Sequence, residues 1–323
     1  MFDLLMSADM MLEDPDGMAD LLHEKLGIHK HERWRQAFDN HPYIAHFLRV
    51  HKSLAVAPTR VEPQWHLDKP NPGDPFFHDF LESLKDYQGR HRPMLTHAVV
   101  ITLRMPQFSA LIDKLMRREL PFRMAQRTAE MPFDRLWLGT TPEKPVYSPE
   151  VDGGLCIEIM GTEPLQMPAE IFLPKVTQPR DAKPGDMVRI TSRGFLVRNL
   201  DDVLWRLSTN LDWEPASLDQ LNSEGYRRAR MGFNCVGSAS LDLIQPTFWD
   251  SDAGHYLNNW GPGLYYIRIG VNDLRAKADD LSKRGVKYTW VESSEAVEGR
   301  ALLKVDPSQL RGQMFEFEEL HDE

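Results

Sequence analysis

A strand–helix–three-strand pattern that returns along the chain constrains this sequence more than any other feature. It is plainest in the last third. Gly263–Val271 (GLYYIRIGV) alternates like a half-buried strand, with Ile267, Ile269 and Val271 on one face and Tyr266 and Arg268 on the other. Asn272 and Asp273 then supply an N-cap. A helix follows to about Lys283, with Leu274, Ala278 and Leu281 at helical spacing, and Arg284-Gly285 closes it. Residues 286–291, 301–306 and 313–319 read as three further strands.

The same unit is legible three more times. Residues 187–197, 199–211, 228–237 and 238–245 read as strand, capped helix and hairpin. Residues 96–103 open another copy, with a helix over 107–118 and strands at 135–139 and 154–160. The first copy is the most irregular: strand 2–12, helix 16–26, then strands over 45–57 and 59–66. Two segments fall outside the repeat. Residues 68–92 form an inserted loop with a short helix near 77–84, and the Pro-rich stretch 162–186 reads as a linker. The expected fold is therefore α+β, with four βαβββ modules paired into two domains, 1–161 and 187–323.

Charge and cysteine usage narrow the function classes. A formal net charge of −10 argues against a general nucleic-acid binder, which needs a basic surface. Cys156 and Cys235 sit in apolar runs without CxxC spacing, as expected of a cytoplasmic chain without disulfides. The amino terminus lacks a basic leader, and no apolar run approaches the ~20 residues that span a bilayer. Nucleotide-binding glycine loops, zincin motifs and a Gly-x-Ser-x-Gly elbow are absent from the sequence.

The run GPGLYYIRIGVNDLRAKADDLSKRGVKY at 261–288, its ending GQMFEFEEL at 312–320, and SLDLIQPT at 240–247 resemble the vicinal oxygen chelate superfamily of glyoxalases, bleomycin-resistance proteins and extradiol dioxygenases. The resemblance implies that paired modules curve into a cup and hold a metal from their first and last strands. It places Ser7, His97, Arg193 and Tyr266 at the four first-strand positions. Glu62, Glu158, Asp242 and Glu316 take the last-strand positions.

The two halves then carry different expectations. In the first, His97 and Glu158 are the expected ligands of a divalent ion (Fe, Mn, Zn or Ni), with Glu62 or His66 as the third. In the second, Arg193 and Tyr266 stand where ring-cleaving members carry histidines, so iron chemistry is not expected there. The resemblance thus implies a metal-dependent lyase, isomerase or dioxygenase. It would act on a small aromatic or keto-acid substrate through an enolate-like intermediate, and would dimerise. Two competing expectations stand beside it. One is a metal-free protein that sequesters a ligand. The other is metal-free acid–base chemistry in the second cup by Tyr266, Glu316 and Arg193, four residues there, with Asp242, being expected to face one cup.

Overall fold

The computed structural model describes residues 2–12, 14–30, 48–49, 55–56, 58–60, 76–92, 94–102, 105–126, 134–144, 146–161, 178–220, 225–234, 237–293 and 299–321. For some strand residues, among them Ser7, Asp9, His97 and Val99, only the backbone is described.

β1 (Leu4–Leu12) leads into α1 (Pro15–Leu26). Asp14 caps this helix by accepting from the Gly17 amide at 2.9 Å. Pro15 takes the first position, where a missing N–H costs nothing, and Gly27 ends the helix at φ 75°. Of the strands expected over 45–57 and 59–66, residues 48–49, 55–56 and 58–60 are described and are strand, and the rest lie outside the described residues. β2 (His29–Lys30), β3 (Leu48–Arg49) and β4 (Ala55–Val56) form a separate small sheet, and β5 (Pro58–Arg60) pairs parallel with β1. α2 (Phe76–Gln88) is longer than the short helix expected near 77–84.

The remaining modules follow the expected order. The second comprises β6 (Leu95–Thr102), α3 (Met105–Arg117), β7 (Phe122–Ala125), β8 (Asp134–Leu138) and β9 (Ile157–Gly161). β7 escapes notice in sequence because four residues carry no usable period. The third comprises β10 (Met187–Leu196), α4 (Leu200–Leu211), β11 (Ser217–Asp219), β12 (Tyr226–Met231) and β13 (Ser240–Pro246). An unforeseen helix, α5 (Asp252–Trp260), follows; Ser251 caps it by accepting from the Gly254 amide at 3.1 Å. The fourth module comprises β14 (Gly263–Val271), α6 (Leu274–Lys283), β15 (Tyr288–Val291), β16 (Leu302–Val305) and β17 (Met314–Glu319).

Two curved, unclosed sheets result, six strands in the order β5-β1-β6-β9-β8-β7 and eight in the order β11-β12-β13-β10-β14-β17-β16-β15. In both, the first strands of the two modules pair antiparallel at the centre. The last strand of a module then lies parallel beside its own first strand, as β9 does to β6 and β17 to β14. Each helix packs its apolar stripe on one face of its sheet. In α6, Leu274, Ala278 and Leu281 are buried, and full burial of a side chain such as Leu281 stabilises by about 2 kcal/mol.

One apolar core spans both halves. Phe2 meets Trp213 edge-on at 4.9 Å, and Asn210 Nδ2 donates to the Val151 carbonyl at 2.8 Å. Lys277, buried on α6, donates to the last carbonyl of α1, at Leu26, at 2.9 Å. Among the described residues no helix is long and apolar enough to cross a membrane.

Candidate functional site

The face of the second sheet that turns away from α6 carries most of its buried charge. Paired residues in a ladder share a face. One row therefore runs Arg230, Asp242, Gly194, Tyr266 and Met314; the next holds Ser240, Ser192, Arg268, Glu316 and Lys304. Asp242 is fully buried and accepts from Arg230 Nε at 2.9 Å and Nη2 at 3.0 Å, and from the Tyr266 hydroxyl at 2.7 Å. Glu316 Oε2 accepts from Arg268 Nε at 2.9 Å and Nη2 at 2.7 Å, and Lys304 Nζ stands 3.8 Å from the other oxygen. The Arg268 guanidinium also lies over the Tyr266 ring, 4.9 Å from its centroid.

These contacts decide the ionisation states. Burial pushes the Asp242 carboxyl up, but the Arg230 hydrogen bond and the charges of Arg230, Arg228 and Arg268 outweigh it, so the net displacement is downward. Burial, with the Asp242 charge, pushes the Tyr266 hydroxyl well above its ordinary value. Tyr266 is thus a neutral donor to a carboxylate. Glu316 is held by a guanidinium. With Arg268, Arg230 and Lys304 already placed against the two carboxylates and Tyr266 a protonated donor, the set brings more cations than ligands and does not fit a metal.

Arg193 is the clear departure from expectation. It pairs with Leu241 and Ile267, both core residues, and so stands on the opposite face from Tyr266, Asp242 and Glu316. The cause is a register shift between Ile190 and Ser192 in the β10–β14 ladder, where one extra residue reverses the alternation. Strict alternation from Val188 and Ile190 would have turned Arg193 to the cup; the bulge gives that face to Ser192 and Gly194 instead. Gly194 is required there, because a Cβ would fall 2.5 Å from the Tyr266 ring. The residues that do face the cup and escaped the sequence reading are Ser192, Arg230 and Arg268. Arg268 had a visible signal, being two residues beyond Tyr266 on the same strand.

The first sheet repeats this geometry with different residues. Asp9 pairs with His97, Ser7 with Val99, and Val99 with Glu158. Position for position, His97 matches Tyr266, Glu158 matches Glu316, Asp9 matches Gly194, and Val99 stands where the second sheet has Arg268. His97 and Glu158 thus occupy one face of adjacent strands, one row apart. Glu158 is buried and forms an ion pair with Arg135, whose Nη1 lies 3.8 Å from its Oε1. A histidine nitrogen with carboxylate oxygens is a donor set that fits Zn, Fe or Mn. Glu62 and His66 lie outside the described residues. Among the described residues no three His, Cys, Asp or Glu side chains are grouped to hold a metal, a set that does not include the side chains of Asp9 and His97.

Beside this face, a buried hydrogen-bond cluster fixes the approach to β9. Asp152 Oδ1 accepts from the Tyr147 hydroxyl at 2.7 Å and the Gly154 amide at 3.1 Å, and Oδ2 accepts from the Ile157 amide at 2.8 Å. Burial nevertheless pushes the Asp152 carboxyl up to about 6. The Tyr147 oxygen in turn accepts from the Cys156 amide at 3.1 Å, which sets the chain entering Glu158's strand.

No protein-family model matches the sequence, and no curated protein matches it. Solved structures do. A mutant of 4-hydroxymandelate synthase from Streptomyces coelicolor is similar over 100% of this chain and 94% of its own, with 12% identity and a TM-score of 0.58. Methylmalonyl-CoA epimerase from Mycobacterium tuberculosis matches 43% of this chain over 91% of its own, with 20% identity and a TM-score of 0.38. Both neighbours are vicinal oxygen chelate proteins. At these identities the likeness speaks to architecture, and the full-length match carries it. Two curved, unclosed sheets with module first strands paired at their centres, matched end to end, give this chain the vicinal oxygen chelate fold.

Proposed function

We propose that the chain is a metal-dependent enzyme whose cation is held on the first sheet by His97 and Glu158, and whose substrate is a small aromatic or keto acid. One observation supports this above the others: the row partner of Glu316 is Arg268, whereas the row partner of Glu158 is Val99. In the second sheet an internal guanidinium neutralises the last-strand carboxylate. In the first, the corresponding strand brings no charge, and a histidine stands one row away. When bound there, a divalent cation supplies Lewis-acid stabilisation to vicinal substrate oxygens as enolate-like charge develops.

The chain's own groups divide the remaining work. Glu158 is buried near Trp137, over whose ring Arg135 lies at 4.7 Å and Arg123 at 5.4 Å. That arrangement places two cations beside the proposed centre, a charge that favours an anionic ligand. Lyase, isomerase and dioxygenase chemistries all share the charge-stabilising step. The Arg268–Glu316 and Arg230–Asp242–Tyr266 sets hold the second sheet together on this reading.

His97→Ala and Glu158→Gln are each expected to weaken Zn²⁺ or Mn²⁺ binding by about 100-fold or more, measured by titration calorimetry on metal-stripped protein. Turnover found by screening keto acids and catechols should fall with it. Unchanged affinity in both variants would remove the site. Tight ligand binding without turnover, indifferent to a chelator, would favour a sequestering protein instead.

A further inference from the structure

The fourth module holds a cavity of about 470 Å³ at the N-terminal end of α6, and its walls include Asp273, Arg275, Trp290, Arg300 and Glu319. Trp290 pairs with Leu303 on β16, and Leu303 with Phe317 on β17, both core residues beneath α6. The cavity therefore lies on the helix-covered side of the second sheet, away from the face of Tyr266 and Glu316. Its lining carries both signs of charge and keeps them apart. Asp273 Oδ1 accepts from the Ala276 amide at 2.9 Å, and Glu319 Oε2 from the Leu274 amide at 3.2 Å. Each carboxylate keeps its other oxygen without a donor among the described residues. The Arg275 guanidinium lies over the Trp290 ring, 5.8 Å from its centroid. Neither Arg275 nor Arg300 forms an ion pair among the described residues, although two carboxylates line the same cavity. Trp290 Nε1 is buried and has no acceptor among those residues, a state that costs about 1–3 kcal/mol.

We infer that this cavity binds a small zwitterion of the α-amino-acid type. Its carboxylate is taken by the Arg275 and Arg300 guanidiniums, whose forked donors match a carboxylate, and its ammonium by the spare oxygens of Asp273 and Glu319. The indole N–H of Trp290 is a further donor on the Arg275 side. Charge sets the class of ligand. A simple anion would satisfy the guanidiniums and meet two carboxylates, and a simple cation would meet two guanidiniums; each like-charge encounter counts against binding. A molecule carrying both signs a few bonds apart pairs with all four groups. The volume falls within the range of about 300–1,000 Å³ typical of small-molecule sites, which leaves room for the amino acid's side chain. The site is independent of the centre proposed on the first sheet.

The test is a thermal-shift screen of the full chain against the common L-amino acids, followed by calorimetric titration of those that stabilise it. Arg275→Gln, Arg300→Gln and Glu319→Gln are then titrated beside the wild type, with circular dichroism to confirm folding. Glu319→Gln keeps an oxygen for the Leu274 amide, so α6 retains its contact. The expected result is binding of at least one amino acid, weakened about 10-fold or more in each variant. The amine lacking its carboxylate and the acid lacking its ammonium should both fail to compete. Absence of a shift with every amino acid overturns the inference, as does binding that all three variants leave unchanged. If acetate or phosphate binds as tightly as the amino acid, with Glu319→Gln at wild-type affinity, the cavity is a plain anion site and the zwitterion is ruled out.

Discussion

Arg268→Met is expected to destabilise the protein by about 3–5 kcal/mol, and adding Glu316→Leu to it should restore most of that loss. The asymmetry follows from burial. Both partners are almost wholly shielded from water, and both Arg268 donors converge on one Glu316 oxygen at 2.9 and 2.7 Å. Removing the guanidinium alone strands a carboxylate in the sheet with Lys304 at 3.8 Å as its remaining cation. Removing both replaces an ion pair by apolar groups on the face that also carries Tyr266 and Met314, an exchange that is often neutral for a buried pair. Urea unfolding of the two single variants and the double variant measures the cycle. A single-variant loss below about 1 kcal/mol would show that the pair is solvated and would dissolve the contrast drawn between the two sheets.

The second large effect is a pH dependence carried by Asp152. Burial raises its carboxyl from an ordinary 3.8 to about 6, despite three hydrogen bonds that favour the charged form. A carboxyl raised by folding holds its proton more tightly in the native state. Its contribution is fully present below pH 3.8 and is lost as pH rises through about 6. The displacement corresponds to about 3 kcal/mol, an order-of-magnitude figure. Asp242 works in the opposite sense: its carboxyl is depressed, so its contribution is present above the ordinary carboxylate range and disappears as pH falls below it. Stability of the wild type should therefore decline between pH 4 and pH 7 by more than that of Asp152→Asn. The variant loses some stability overall, because an amide nitrogen must face the Ile157 or Gly154 amide. Denaturant midpoints across that range settle it, and parallel curves for the two proteins would show that Asp152 does not titrate there.

Modules three and four were legible in sequence because their helices announce themselves twice, once by period and once by an N-cap. Asn199 accepts from the Asp202 amide and Asp273 from the Ala276 amide, at the helix starts the sequence gives. The superfamily fold followed from the last module, whose strand β14 is buried on both faces yet alternates cleanly in chemistry. What escaped has local causes. A single inserted residue in β10 reversed the face of Arg193, and no sequence period records a bulge. In the first module the described strands after α1 are of two and three residues, too short to show alternation. The part played by Arg268 was hidden for a different reason. It lies two residues from the position that the resemblance singled out, and only the cross-strand register shows that Glu316 stands opposite it.

The central claim is that the first sheet holds a cation and the second holds an arginine in its place. Equilibrium dialysis of the metal-stripped full chain against Mn²⁺ or Zn²⁺, with bound metal counted by elemental analysis, tests it most directly. About one equivalent per chain is predicted for the wild type and for Tyr266→Phe, and none for His97→Ala. Retention of the metal by His97→Ala, or its absence from the wild type, would contradict the account.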